Sequence, residues 1–178
     1  MTNSVYDFIE AQEGRVLHSY LDSAGVWTIG VGSTMYQSGR AVGPHETITD
    51  KEADELLEWE IRNRSKIVRS LCGKVTLTDQ QTIALISFAF NAGMAAFRTS
   101  SLLKVIRKNP NDTTLIPVGA VADTSVRKWM VKNKMTEINI IRMCFLMWNK
   151  VTNPHSHIKE YSESLLNRRL RESHLYFS

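Results

Sequence analysis

A chain of 178 residues, 43% of them hydrophobic, is long enough to bury one domain-sized core and too short for a tandem array. Its net charge of +4 and pI near 9.1 point to an anionic partner. It has no basic stripe with interleaved aromatics and no zinc-ligand spacing, which argues against nucleic acid as that partner. The amino terminus carries Asp7, Glu10 and Glu13 but no Lys or Arg, and lacks the apolar run of about 7 to 15 residues that a secretory signal needs. That predicts synthesis and retention in the cytoplasm.

In chain order, Ser4 is placed to cap a first helix running to about Ala11, with Val5, Phe8 and Ile9 on one face. From Val16 to about Tyr36 the segments "VLHSYLD", "VWTIGVG" and "TMYQSGR" are short and rich in β-branched and aromatic residues. The turn signals "DSAG" and "QSG" separate them, which predicts a small antiparallel sheet of two or three strands. After Pro44 nearly all of the chain reads as helix. "TDKE" at Thr49–Glu52 and "TDQQ" at Thr78–Gln81 fit capping boxes, so each starts a helix: one from Asp50 to about Leu71, and an apolar central one ending at Asn91 and Gly93. Further helices are expected over 100–108, 124–132, 137–150 and 160–174. The stretch "INIIRMCFLMW" is interrupted by Arg142 and falls short of the roughly 18 apolar residues that cross a bilayer, so it is expected to be a buried helix without membrane insertion. Cys72 and Cys144 are too few for a disulfide framework and read as buried free thiols.

The stretch "EGRVLHSYLDSAGVWTIGVGST" places Glu13, Asp22 and Thr28 in the pattern E-x8-D-x5-T. A hairpin folds the chain back on itself and side chains alternate between its faces, so all three can meet at one sheet edge. Two carboxyls there suit glycosidic cleavage: one protonated to serve the leaving oxygen, the other ionised to activate a water. On spacing alone the plainer account is the stronger, with Asp22 supporting a turn and Thr28 merely suiting a strand.

The same residues resemble the active-site segment of the phage endolysin lysozymes of glycoside hydrolase family 24, whose pattern is E-G, Y-x-D, G and T-I-G-x-G. Here these are Glu13-Gly14, Tyr20-x-Asp22, Gly25 and Thr28-Ile29-Gly30-x-Gly32. "LTDQQTIALISFAFNAG", "FRTSSLL" and "SLLNRRLRE" resemble later family segments in the same order. The resemblance implies a single lysozyme-like α+β domain over 1–178, with a small β lobe at about 14–45 and a helical body from 1–13 and 49–178. It implies a monomeric peptidoglycan hydrolase cleaving the β-1,4 bond between N-acetylmuramic acid and N-acetylglucosamine, with inversion. Glu13 would be the general acid, Asp22 the carboxylate that activates water and Thr28 the residue that positions it. Gly32 and Asn91 match substrate-side positions, although Asn91 equally suits a helix C-cap. Arg168, in a supporting role, matches an arginine that pairs with the catalytic glutamate, unless it and Arg169 are ordinary surface charges. No metal or cofactor is implied, and a cytoplasmic enzyme of this kind would reach the wall with the help of a holin.

A lytic transglycosylase and an inactive wall-binding module are the competing expectations; intact Asp22 and Thr28 favour hydrolysis over the first, and the complete set disfavours the second. The chain departs from the family at Ser33, where many members have histidine, and at Ser164, where a glycine precedes the arginine pair. The stretch from about Leu115 to Asn139 has no counterpart in the shorter family members and reads as an added helix or a flap over the cleft. "GVG" lacks the third glycine of a dinucleotide loop, and His155 and His157 lack a third metal ligand.

Overall fold

The computed structural model describes residues 5–22, 24–153 and 156–178. Ser4, expected to cap the first helix, and His155 lie outside the described residues. The chain forms two compact units, the first ending at Ile67 and the second starting at Val68.

In the first unit, α1 (Val5–Glu13) leads into the antiparallel pair β1 (Val16–Leu21) and β2 (Trp27–Gly30). Gly14 stops the helix: its φ is +76°, where a Cβ is strained, and its N–H donates to the Glu10 carbonyl at 2.8 Å. Arg15 then clamps the exit, donating to Glu10 at 2.8 and 2.9 Å and to Asp54 at 2.6 Å. These bonds raise the Arg15 pKa and lower that of Glu10.

The segment "TMYQSGR" is not a third strand of this sheet. It folds on its own continuation, with Val42 N–H donating to Thr34 and Tyr36 N–H to Arg40. The chain that does run beside β1 is 46–48, through Ser19 N–H to the Glu46 carbonyl and Ile48 N–H to that of Leu17. Glu46 holds this loop in place. Its carboxylate accepts from Tyr36 Oη, Arg40 and the Gly43 N–H, and the Arg40 guanidinium and Tyr36 hydroxyl pull its pKa down to about 2. Helix α2 (Asp50–Cys72) opens with the expected box, the Thr49 N–H donating to Glu52 at 2.7 Å and the Glu52 N–H to Thr49 Oγ1 at 3.2 Å. Ile29, Val42 and Leu56 form the buried cluster between hairpin, loop and helix.

The second unit begins in the last turn of α2 and centres on α3 (Asp79–Ala92), whose Thr78–Gln81 capping box is present and whose residues Ala84 to Ala89 are all buried. Around it lie α4 (Met94–Thr99), α5 (Ser101–Lys108), β3 (Leu115–Pro117), α6 (Thr124–Lys132), β4 (Glu137–Asn139), α7 (Ile140–Leu146), β5 (Lys150–Thr152), β6 (Lys159–Tyr161) and α8 (Glu163–Tyr176). Phe88 of α3 meets Phe97, Phe145 and Trp148 edge to face at 5.5 to 5.9 Å.

Two expected helices are shorter than their patterns suggested. Residues 137–139 pair with β3, and α7 starts only after Asn139, whose side chain accepts from the N–H groups of Ile141 and Arg142. Residues 159–161 pair with β5, and Ser162 caps α8 by accepting from the Leu165 N–H. Nearly continuous helix after Pro44 is therefore interrupted by two short antiparallel pairs. Cys72 and Cys144 are free and buried, and burial pushes the Cys72 thiol up to about 11. Among the described residues no helix is long and apolar enough to cross a membrane.

Candidate active site

The first unit carries its three candidate residues on consecutive elements. Glu13 is the last residue of α1, held at the helix exit by the left-handed Gly14. Asp22 directly follows β1 and Thr28 is the second residue of β2. The register pairs Tyr20 with Thr28 and Leu21 with Trp27. Directly opposed residues share a face, so Tyr20 and Thr28 stand side by side. The Tyr20 phenol has a raised pKa, first from burial and then from the negative charges of both Glu13 and Asp22.

Asp22 divides its work between two oxygens. Oδ1 accepts from the N–H groups of Ala24 at 2.8 Å and Val26 at 2.9 Å, while the Asp22 N–H donates to the Val26 carbonyl at 3.0 Å. Among the described residues no hydrogen bond reaches Oδ2. Thr28 is 3% exposed, and its hydroxyl donates to the Val26 carbonyl at 3.0 Å. With that proton committed, Oγ1 offers a further partner only its lone pairs.

The glycines after Thr28 are a turn device. Ile29 and Ser33 exchange both backbone hydrogen bonds at 2.9 Å, and the intervening Gly30 and Gly32 have φ of +65° and +82°. A Cβ on Gly30 would also touch Ile48 Cδ1 at 3.4 Å. Gly32 is thus fixed by the turn, and Ser33, 1% exposed, closes it from a buried position.

Asn91 and Arg168 belong to a network in the second unit that joins α3 to α8. Asn91 does not cap α3, since the cap is Gly93. Its Oδ1 accepts from Arg169 Nη2 at 2.8 Å. Arg168 and Arg169 are 6% and 0% exposed, so neither is a surface charge. Their guanidinium groups stand 3.2 and 3.1 Å from the Glu172 carboxylate, which also accepts from Ser87 Oγ at 2.8 Å. Arg168 further donates to the Ser87 carbonyl, and Arg169 lies 4.8 Å over the Phe88 ring. Burial pushes Glu172 up, against the pull of both arginines and Ser87. Sequence reasoning gave no role to Tyr20, Ser87, Arg169 or Glu172. The spacing R-R-x-x-E carries a signal for two of them, Arg169 and Glu172, because i,i+3 and i,i+4 place Arg169 and Arg168 beside the glutamate on one helix face.

Among the described residues no group of three His, Cys, Asp or Glu side chains is placed to hold a metal ion. A family model described as phage lysozyme matches residues 10–118. The chain is 38% identical over 96 residues to an endolysin of Salmonella phage P22, which covers 54% of this chain and 65% of that protein. It is 35% identical over 104 residues to an endolysin of Bacillus phage PZA, covering 57% of this chain and 38% of that one. These matches leave the chain short of two thirds of either relative's length. The structure of an endolysin from Escherichia coli O157:H7 phage FAHEc1 superposes with a TM-score of 0.74 at 26% identity, covering 99% of this chain and 92% of that one.

Proposed function

Because this chain belongs to the phage lysozyme family, we propose that it is an endolysin-type muramidase that hydrolyses the β-1,4 bond between N-acetylmuramic acid and N-acetylglucosamine. Support for this reading comes from Glu13 at the α1 exit, Asp22 directly after β1 and Thr28 on β2 across the register from Tyr20.

Glu13 gives its proton to the leaving sugar oxygen. Asp22 Oδ2 receives a proton from the attacking water, while Oδ1 stays engaged with the turn. Thr28 Oγ1 also acts toward that water as an acceptor. A water donating one proton to Thr28 and the other to Asp22 presents its lone pair to the sugar carbon as the bond to the departing oxygen breaks. Attack from the face opposite the leaving group gives inversion. Gly32 and Asn91 are assigned to the substrate side and Arg168 to support of the site. The enzyme acts as a monomer; made in the host cytoplasm, it reaches peptidoglycan after a holin has opened the membrane.

The test is digestion of purified peptidoglycan with mass spectrometry of the products. New reducing ends that vanish in Glu13→Gln support the reading. Anhydro-sugar products would make the protein a transglycosylase, and intact polymer would leave only a wall-binding module. Proton NMR of the first-formed anomer on a soluble oligosaccharide tests inversion, and retention would move Asp22 from base to nucleophile.

A further inference from the structure

The stretch 115–139, which the catalytic reading does not use, is folded into one piece. Its ends are joined by β3 and β4, paired from Leu115 and Asn139 to Pro117 and Glu137. Between them α6 buries Val126 and Met130 in a cluster with Val121, Ile138 and Leu166. The face of α6 adjoining this buried one carries Ser125, Lys128, Trp129, Lys132 and, just past its end, Asn133. Their spacing of i, i+3, i+4, i+7 and i+8 makes one stripe.

All five line a pocket of about 380 Å³. Opposite them stand Tyr161 at the end of β6 and the first turns of α8, where the buried Leu166 is flanked by Glu163 and Asn167. That volume is at the low end of the roughly 300 to 1,000 Å³ of small-ligand sites, enough for a compact unit and too little for a docked helix. Trp129 is held by packing against the core cluster, and its carbonyl accepts from Asn133 Nδ2 at 2.8 Å. Tyr161 is 50% exposed. The site thus offers two aromatic rings, two side-chain amides and two ammonium groups.

Charge narrows the ligand. Residues 124–134 contain four basic residues and no acid, and Lys128 and Lys132 also border a second pocket, of about 530 Å³, with Arg127. Glu163, on the opposite wall, disfavours a polyphosphate backbone but accepts from hydroxyl and amide N–H groups. Sugar faces stack on aromatic rings, acetamido groups bond to amides, and peptide carboxylates pair with lysines.

We propose that this pocket is an accessory site for peptidoglycan itself. It would take an N-acetylated sugar against Trp129 and Tyr161, with the acidic peptide of that sugar reaching Lys128 and Lys132. The identity of the polymer rests on the hydrolase reading above; the chemistry of the pocket does not.

The full chain carrying Glu13→Gln is titrated with a purified disaccharide-peptide fragment and followed by amide NMR shifts. The expected shifts concentrate at Trp129, Asn133 and Asn167. Lys128→Glu with Lys132→Glu, two exposed positions, is expected to weaken binding about ten-fold or more without moving the thermal midpoint, and Tyr161→Ser to weaken it in the same direction. Absence of shifts on α6 and α8, indifference to the charge reversal, or preferential binding of a single-stranded oligonucleotide at these amides would overturn the proposal. Wild-type cleavage of sacculi is measured in parallel. Cleavage without pocket shifts overturns the pocket alone, whereas pocket shifts without cleavage overturn the hydrolase and leave the pocket standing.

Discussion

Removing one partner from each of two ion pairs of the same helical spacing should differ about ten-fold in cost, because one pair is buried and the other is not. Arg168–Glu172 and Arg62–Glu58 are both i,i+4, at 3.2 and 2.5 Å. The side chains of the first are 7% and 0% exposed, those of the second 64% and 50%. Glu172→Gln keeps the shape and an acceptor oxygen for Ser87 but removes the negative charge facing two buried guanidinium groups. Removing one partner of a buried pair costs about 3 to 5 kcal/mol, whereas an exposed helical pair contributes about 0.3 to 0.5 kcal/mol. At about 2 to 4 °C per kcal/mol for a chain of this size, Glu172→Gln should lower the thermal midpoint by roughly 6 to 20 °C. Glu58→Gln should lower it by no more than about 2 °C. Circular dichroism melts of the two variants at pH 7 provide the comparison. Equal, small shifts would show that the α3–α8 network does not depend on the Glu172 charge.

Other outcomes follow from the first unit. The Glu46 pKa is depressed to about 2, so its stabilisation is complete above the usual glutamate value of about 4.3 and is lost as pH falls from there toward 2. Urea midpoints of wild type and Glu46→Gln should differ at pH 7 and converge on acidification; a constant gap would locate the effect in packing. Gly14→Ala places a Cβ at φ +76° and should cost about 1 to 2 kcal/mol in urea unfolding. It should also lower turnover by displacing Glu13, and undiminished stability would mean that the α1 exit is not fixed by Gly14. Thr28→Val removes the acceptor proposed for the attacking water and the hydrogen bond to the Val26 carbonyl, so it should depress kcat strongly while lowering the melt by only the few degrees that about 1 kcal/mol implies; full activity would move water positioning elsewhere.

The parts of the fold legible in the sequence are those whose signals are local. Both capping boxes start helices at the residues that spell them, because a threonine and a Glu or Gln three positions on bond each other's backbone over one turn. The α6 range is likewise set by Asp123, which accepts from Ser125 and Val126, and by Asn133 past its end. What failed were three-residue strands. Residues 137–139 are extended because 115–117 lie beside them, 20 positions apart at the nearest paired ends and 24 at the furthest, and no periodicity over three residues separates such a strand from the first turn of a helix. The candidate site divides in the same way. Glu13, Asp22 and Thr28 sit on consecutive local elements and could be placed from turn chemistry. The bond between Asn91 and Arg169 spans 78 residues, and without it the pair reads as a cap and a surface charge.

For Asp22, catalysis and turn support looked like rival accounts on spacing alone, and the atoms remove the rivalry. Oδ1 belongs to the turn through Ala24 and Val26, and the proposed chemistry falls to Oδ2. Asp22→Asn separates the two roles. An asparagine keeps one oxygen to accept from both N–H groups but replaces the other with a donor that cannot take a proton from water. The hairpin should survive, with a thermal midpoint close to wild type, while release of reducing ends falls by orders of magnitude. Asp22→Ala should lose both the activity and the turn, because two backbone N–H groups lose their acceptor. If Asp22→Asn destabilises the protein as much as Asp22→Ala does, the charge rather than one oxygen holds the turn. If it retains activity, the proton acceptor must be another group beside Tyr20.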